Sequence, residues 1–176
     1  MKNKIILLIV IAFSLQAHSQ HKKTIAEYGK VFSIDKPDLL LKKDKVYKVI
    51  FDVFKDSKKK SKKNPSIVTV ARYIQMHTQQ GVPVDNLKIA LVLHGAATKN
   101  ALNNSSYQNK YGKDNPNLAL LSALKQANVD IFVCGQSLYA KGLNETNTSK
   151  SVQVSLSALT ALVHFQSEGY HQINFN

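Results

Sequence analysis

The sequence predicts an α/β fold with a mostly parallel sheet of four to five strands flanked by helices. Apolar segments of strand length alternate with segments of helical periodicity along most of the chain. Residues 87–93 read LKIALVL, a nearly continuous apolar run that is typical of a central parallel strand. Strands and helices that alternate in this way imply right-handed βαβ units, which place the strands parallel to one another.

The first predicted helix has the clearest boundaries. Asn64 supplies an N-cap, and Pro65 occupies the first helical position, where its missing N–H is not needed. Apolar residues then recur at helical spacing until Gly81, a suitable stop. The predicted elements of this half are a strand at 47–54, this helix, a strand at 87–93 and a polar loop at 95–114.

The second half continues the same alternation. Asn115 and Pro116 are predicted to open a helix that Asn128 closes. A short helix is predicted from Ser137 to Lys141. The other predicted elements are a strand at 129–133 ending at Cys134, a polar loop at 143–150, a candidate fifth strand at 151–154, a helix at 155–168 and a last strand at 171–175.

The N-terminal segment does not belong to the predicted fold. Residues 1–19 combine a basic start, an eleven-residue apolar stretch at 5–15 and small residues around Ser19, the pattern of a cleaved secretory signal peptide. A membrane anchor would need about 20 apolar residues, and no later stretch is long enough to span a bilayer. We therefore expect an exported protein, periplasmic or secreted, with a polar arm at 20–45 and one domain at 46–176.

The last predicted helix carries more apolar surface than one face needs. Leu156, Leu159 and Val163 lie in line and are predicted to pack on the sheet, whereas Leu162 and Phe165 form a second strip. Contiguous exposed apolar surface is unusual on a soluble monomer. The second strip therefore implies a cover, either another subunit or the N-terminal arm with its three consecutive leucines at 39–41.

The chain is basic, and the charge is concentrated. Lys+Arg is 24 against 11 acids, a net charge of +13. Residues 20–63 hold +8 of it, most densely in five lysines between Lys58 and Lys63. Such a run either attracts an anionic surface or forms a solvated loop, and the second interpretation is the commoner one. Interleaved aromatic residues are missing, so nucleic acid is not the expected partner.

Several classes of site are excluded by the sequence. The single cysteine rules out an intramolecular disulfide, a C-x-x-C redox pair and a cysteine-rich zinc site. The chain has no G-x-S-x-G, Walker, G-x-G-x-x-G or H-E-x-x-H motif. No cofactor is indicated, and no metal site is predicted, because His94 and Cys134 would supply only two ligands.

Two side chains that could take part in a reaction follow neighbouring predicted strands. His94 comes after LKIALVL and Cys134 after VDIFV, where ligands bind in parallel sheets. A thiol at a strand-to-helix turn faces free amides that favour the thiolate, so we expect Cys134 to be partly exposed with a lowered pKa. His94 would be a proton shuttle or a cationic neighbour. Either residue could equally be structural. The adjoining candidates for binding are Gly95, Gly135, Gln136 and Ser137.

Three segments together resemble the DsrE/DsrF-like proteins. They are LVLHGAATKNAL at 91–102, NPNLALLSALKQANVDIFVCGQSL at 115–138 and VSLSALTALVHFQSEGYHQINF at 154–175. The resemblance covers residues 46–176. It implies a compact sheet with flavodoxin-like layering, assembly as a homotrimer, a hexamer or a hetero-oligomer, and a persulfide-carrying cysteine at the position of Cys134. His94 and Gln136 are implied only as neighbours of that cysteine.

Three functions follow from these features. The first is a sulfur carrier or sulfurtransferase that acts through Cys134, with a sulfur donor or an acceptor thiol protein as partner. The second is a non-catalytic oligomeric module that binds a small ligand and in which Cys134 is structural. The third is an exported protein that grips an anionic surface through residues 58–63.

Overall fold

The computed structural model describes residues 24–175. They form an α/β fold around one five-stranded sheet. The strands are β1 (Tyr47–Val53), β2 (Leu87–Leu93), β3 (Asp130–Cys134), β4 (Gln153–Ser155) and β5 (His171–Asn174). The α-helices are α1 (Pro65–Gln79), α2 (Asn104–Tyr111), α3 (Leu118–Gln126), α4 (Gly135–Tyr139) and α5 (Ala158–Ser167). The predicted signal peptide lies outside the described residues.

A mostly parallel sheet of four to five strands was predicted, and the sheet has five strands that are all parallel. Its order is β4-β3-β2-β1-β5, so β2 is central. The register pairs Asp52 of β1 with Val92 of β2, and Val92 with Phe132 of β3. Because the strands are parallel, the carboxyl ends of β1, β2 and β3 lie along one edge of the sheet. We call it the carboxyl edge.

The two faces of the sheet are covered unequally. Alternate residues of β1 point to opposite faces, so Phe51 joins the larger core cluster while Ile50 joins the smaller one. The larger cluster includes buried residues of α1 and α3, and the smaller one includes residues of α5. One face therefore carries most of the core, and α5 covers the other.

The described part of the arm packs on the larger core and not on α5. Gln75 of α1 donates hydrogen bonds to the carbonyls of Ile25 (3.0 Å) and Tyr28 (2.7 Å). Tyr28 is buried, and Leu41 packs against the same cluster. The interpretation in which this arm covers α5 is therefore wrong for residues 24–45.

The segment 95–114, predicted to be a loop, is helical. A 3₁₀ helix (Gly95–Ala101) is followed by α2. The side chain of Asn103 caps α2 by accepting from the Ser106 N–H at 2.8 Å. Buried polar residues such as Asn100 replace the apolar periodicity on which a helix prediction depends, so the sequence pattern did not reveal this helix.

Helix α5 packs with the opposite face from the one predicted. Its buried residues are Ala158, Ala161 and Phe165, and Leu162 packs partly against the same cluster. The predicted core stripe of Leu156, Leu159 and Val163 is instead exposed by 72%, 75% and 68%. The cause is local: Ser157 caps the helix, so Leu156 precedes it, and small alanines allow α5 to approach the sheet closely.

Two other helix starts differ from the prediction by two residues each. Helix α3 begins at Leu118 because the Asn115 side chain donates to the carbonyls of Asn100 and Leu102 and does not cap the helix. Helix α4 begins at Gly135, directly after β3, so that Cys134 is its N-cap residue.

Candidate functional site

Three polar side chains from neighbouring strands meet one face of the sheet at the carboxyl edge. Asp52 of β1 and Cys134 of β3 point to the face that α5 covers, because they alternate with residues of the larger core. The β2–β3 register, carried one residue beyond its Leu93–Val133 pair, places His94 opposite Cys134. His94 still follows the sheet, since its N–H donates to the Val53 carbonyl at 3.0 Å. The two predicted chemical residues are therefore neighbours in register.

The thiol of Cys134 is held by backbone donors. The Ser137 N–H donates to its Sγ at 3.4 Å. Burial raises the pKa of the thiol, but hydrogen bonds from Ser137, Ala158 and Gln136 together outweigh burial and hold the pKa below that of an unperturbed thiol. These donors come from α4 and from the first residue of α5. The lowered pKa agrees with the prediction.

The predicted exposure of Cys134 is wrong, since the residue is only 5% exposed. It belongs to the smaller core cluster together with Ala158 and Ala161. The β4–α5 connection passes close over the turn that follows the cysteine. The thiol is therefore accessible only to a small reagent or to one that displaces this connection.

Gly135 shows how tightly that connection is packed. A Cβ at this position would lie 2.8 Å from the carbonyl oxygen of Ser155 and 3.3 Å from that of Leu156. Both contacts are with backbone, which cannot rotate away. Glycine is therefore required here for packing, whereas the sequence offered it as a binding residue.

Gly95 has a similar structural role. Its φ is +54°, which favours glycine, and a Cβ would overlap the Phe54 ring. Its N–H donates to the Ser137 hydroxyl at 3.2 Å and so joins the segment after β2 to α4. Ser137 thus links Cys134 to the residue that follows His94. Gln136 is exposed beside it.

The residue that sequence reasoning missed is Asp52. His94 Nε2 lies 2.6 Å from Asp52 Oδ1, and Gln172 of β5 donates to Oδ2 at 2.9 Å. Asp52 is buried, and its carboxylate holds the imidazole in place through this hydrogen bond. A signal was present in the sequence, because Asp52 is the only acid in the strand YKVIFDV.

A second polar cluster braces the carboxyl edge on the opposite face of the sheet. Lys99, buried, forms an ion pair with Asp56, which follows β1. Burial lowers the pKa of Lys99, and the Asp56 carboxylate opposes that shift. The pair joins the connection after β1 to the 3₁₀ helix after β2.

Residues 24–175 contain no group of three histidine, cysteine, aspartate or glutamate side chains able to hold a metal ion. Over the same residues no helix has the length and apolar character needed to cross a membrane.

Comparisons with known proteins agree with the architecture. The model of the DsrE/DsrF-like family matches residues 48–175. The solved structure of a protein of unknown function from Methanobacterium thermoautotrophicum is similar to this chain, with a TM-score of 0.53 and 19% identity, covering 73% of this chain and 99% of that one. The search of curated proteins gave no match. The family match spans most of the chain and contains Asp52, His94 and Cys134, so this chain belongs to the DsrE/DsrF-like family.

Proposed function

We propose that the protein is a sulfur carrier that holds sulfane sulfur as a persulfide on Cys134. Membership of a sulfur-relay type of family supports the proposal. The observation that carries it is the set of amide and hydroxyl donors around Sγ, which lowers the thiol pKa. The thiolate is the form of cysteine that attacks sulfur.

The loading step is a displacement at sulfur. The Cys134 thiolate attacks the outer sulfur of a donor persulfide, R–S–SH. A new S–S bond forms to Cys134, the donor's S–S bond breaks, and the donor leaves as the thiolate R–S⁻. The proton stays on the transferred sulfur, and no external oxidant or reductant is consumed. Unloading is the same exchange in reverse, with an acceptor thiolate attacking the outer sulfur.

His94 and Asp52 are assigned supporting roles in this exchange. The imidazole, opposite Cys134 in register, stabilises the thiolate and the departing charge. Asp52 is a positioning residue, since its carboxylate holds the ring at 2.6 Å while Gln172 holds the carboxylate. An imidazole fixed through one nitrogen offers the other to the reacting groups.

The test is to load the purified protein with an organic persulfide and measure its intact mass. We expect a gain of about 32 Da, one sulfur atom, that a reductant removes. Cys134→Ser is the matched control, because it removes the nucleophile with a near-isosteric side chain, and it should gain nothing. Equal mass gain in both proteins, or none in either, would contradict the proposal.

One observation favours a second function, a non-catalytic binding module in which Cys134 is structural. The residue is 5% exposed, and cysteine behaves as a small apolar side chain in many cores. Alkylation without denaturant separates the two functions. A carrier thiol is labelled in the folded protein, whereas a structural thiol is labelled only after unfolding.

Export and self-assembly are part of the same proposal. The sequence pattern supports cleavage after Ser19 and a periplasmic or secreted mature protein. The exposed Leu159 and Val163 of α5, with Leu156 just before the helix, support a homotrimer or a hexamer built from trimers, since the described arm lies on the other face of the sheet. Edman sequencing of the secreted protein should begin at Gln20.

A further inference from the structure

The N-terminal arm carries four large apolar side chains that the fold leaves exposed. Phe32, Ile34, Leu39 and Leu40 are exposed by 66%, 59%, 84% and 70%. All four lie in one short stretch, residues 30–40, which we call the apolar loop. Large apolar side chains grouped in this way on a protein surface are typical of an interaction site.

Both ends of the apolar loop are anchored to the fold. Before the loop, Tyr28 is buried, and its carbonyl accepts a hydrogen bond from Gln75 at 2.7 Å. After the loop, the Tyr47 hydroxyl donates to the Lys42 carbonyl at 3.1 Å and accepts from the Lys42 N–H at 3.0 Å. Leu41 packs against the larger core. The loop therefore holds its apolar side chains on a fixed base.

The apolar loop and the end of α1 form a shallow groove of about 290 Å³. Phe32, Ile34 and Leu39 line it from the loop, and Met76 lines it from α1. These four side chains are themselves exposed. The groove and the projecting side chains therefore form one continuous apolar surface.

Lysines lie directly beside this apolar surface. Lys30 Nζ is 4.7 Å from the centre of the Phe32 ring, and Lys43 lines a neighbouring groove with Leu40 and Asp35. In the part of the chain that the structure describes, neither lysine has a carboxylate within 4.0 Å. The loop and the three residues after it hold four lysines and two aspartates, so the surface has a net positive charge.

We propose that the apolar loop docks the protein on an anionic lipid surface. The apolar side chains enter the boundary between headgroups and acyl chains, and the flanking lysines meet the lipid phosphates. A second copy of the chain is the less favoured occupant, because assembly through α5 uses the opposite face of the sheet and leaves the loop uncovered. This docking surface is separate from Cys134 and does not depend on sulfur chemistry.

A single tryptophan can report insertion, because the chain has none of its own. The test uses the mature chain from Gln20 and vesicles of phosphatidylcholine with about 30% phosphatidylglycerol, an anionic lipid. The fluorescence of Phe32→Trp should move to shorter wavelength when vesicles are added. Tyr139→Trp is the matched control, since Tyr139 is 63% exposed on α4, and its fluorescence should stay unchanged. Vesicles of phosphatidylcholine alone should produce a smaller shift.

Vesicle sedimentation then separates the apolar contribution from the charge contribution. Replacing Leu39 and Leu40 together by glutamine should weaken binding at least about tenfold, because burial of one leucine alone accounts for that factor.

Replacing Lys30 and Lys43 together by glutamine should weaken binding at least about fivefold, the factor for one lysine at an anionic surface. The control replaces Lys141 and Lys150, which are exposed in the connection between α4 and β4, and should bind like the wild type. Unchanged urea midpoints show that the variants are folded.

Three results would overturn lipid docking. The first is an equal response of the two tryptophan positions to vesicles. The second is equal binding to neutral and anionic vesicles. The third is a shift of Phe32→Trp with rising protein concentration and without vesicles, which would assign the apolar loop to a second copy of the chain. Persulfide loading of Cys134 is measured separately, so either proposal can fail while the other stands.

Discussion

At the scale of single residues, the site depends on how polar groups surround one sulfur atom. Cys134 has little contact with solvent, but several hydrogen-bond donors surround its Sγ. The turn into α4 supplies the Ser137 amide, and α5 begins close to the thiol. His94 is fixed from below by Asp52. A cysteine and a histidine that are 40 positions apart in the chain become neighbours only because β2 and β3 are adjacent and parallel.

The first prediction concerns the titration of Cys134. The rate of iodoacetamide labelling should reach half of its plateau below about pH 8.5, the pKa of an unperturbed thiol. His94→Ala and Asp52→Asn should both move the plateau to higher pH, because the first removes the imidazole and the second releases it. Asp85→Asn, which changes an exposed acid elsewhere, should leave the profile unchanged. Identical profiles in all four proteins would place His94 and Asp52 among the purely structural residues.

At the scale of elements, buried asparagines fasten the helices to the carboxyl edge. Asn117 accepts from the Asn64 N–H at 2.8 Å and donates to the Asn100 side chain at 2.9 Å. It thereby joins the start of α1, the 3₁₀ helix and the start of α3. Such a network is invisible to hydrophobic periodicity, which is why residues 95–114 were predicted to be a loop.

Asn117→Ala should therefore destabilise the fold. The substitution leaves the buried Asn64 N–H without its acceptor, which costs about 2 kcal/mol. Urea denaturation should show this loss. The control, Asn86→Ala, breaks an exposed hydrogen bond to the Lys43 carbonyl and should cost less than about 1 kcal/mol. Equal midpoints for the two variants would contradict the role given to the asparagine network.

Helix α1 should also make stability depend on pH through His77. Its ring packs on Tyr73, with centroids 3.9 Å apart, and burial lowers its pKa from 6.5 despite the hydrogen bond to the Tyr73 carbonyl. As the pH falls, His77 of the unfolded chain therefore takes up its proton at a higher pH than His77 of the folded protein. This contribution to the free energy of unfolding is present above pH 6.5 and is lost as the pH falls below it. His77→Phe should lose less stability than the wild type between pH 7.5 and 5.0. Parallel pH profiles of the two proteins would rule out this contribution.

At the scale of the whole molecule, the strands were predictable and the surfaces were not. Strands at 47–54, 87–93 and 129–133 were predicted nearly to the residue, because each is a short segment made mostly of apolar residues, as buried parallel strands are. The orientation of α5 was wrong, since large residues were expected inside and small alanines occupy the interface. Cys134 and His94 could be found as residues that follow strands, whereas Asp52 required the pairing of β1 with β2.

The exposed face of α5 leads to a prediction about assembly. Light scattering on the mature protein should give a mass of three or six chains at micromolar concentration. Leu159→Glu should lower that mass, because Leu159 is 75% exposed and a charge there disfavours an apolar interface. Val84→Glu, on a different exposed site, should leave the mass unchanged. A wild-type mass near one chain would contradict the assembly.

The most direct test of the central claim is the mass of the Cys134 peptide from protein purified, without reductant, from the organism that makes it. Sulfur carriage predicts a fraction of this peptide heavier by about 32 Da, and loss of the increment after treatment with a thiol reductant. A peptide that is entirely unmodified, or one that carries only oxygen additions that resist reduction, would contradict the claim that Cys134 carries sulfur.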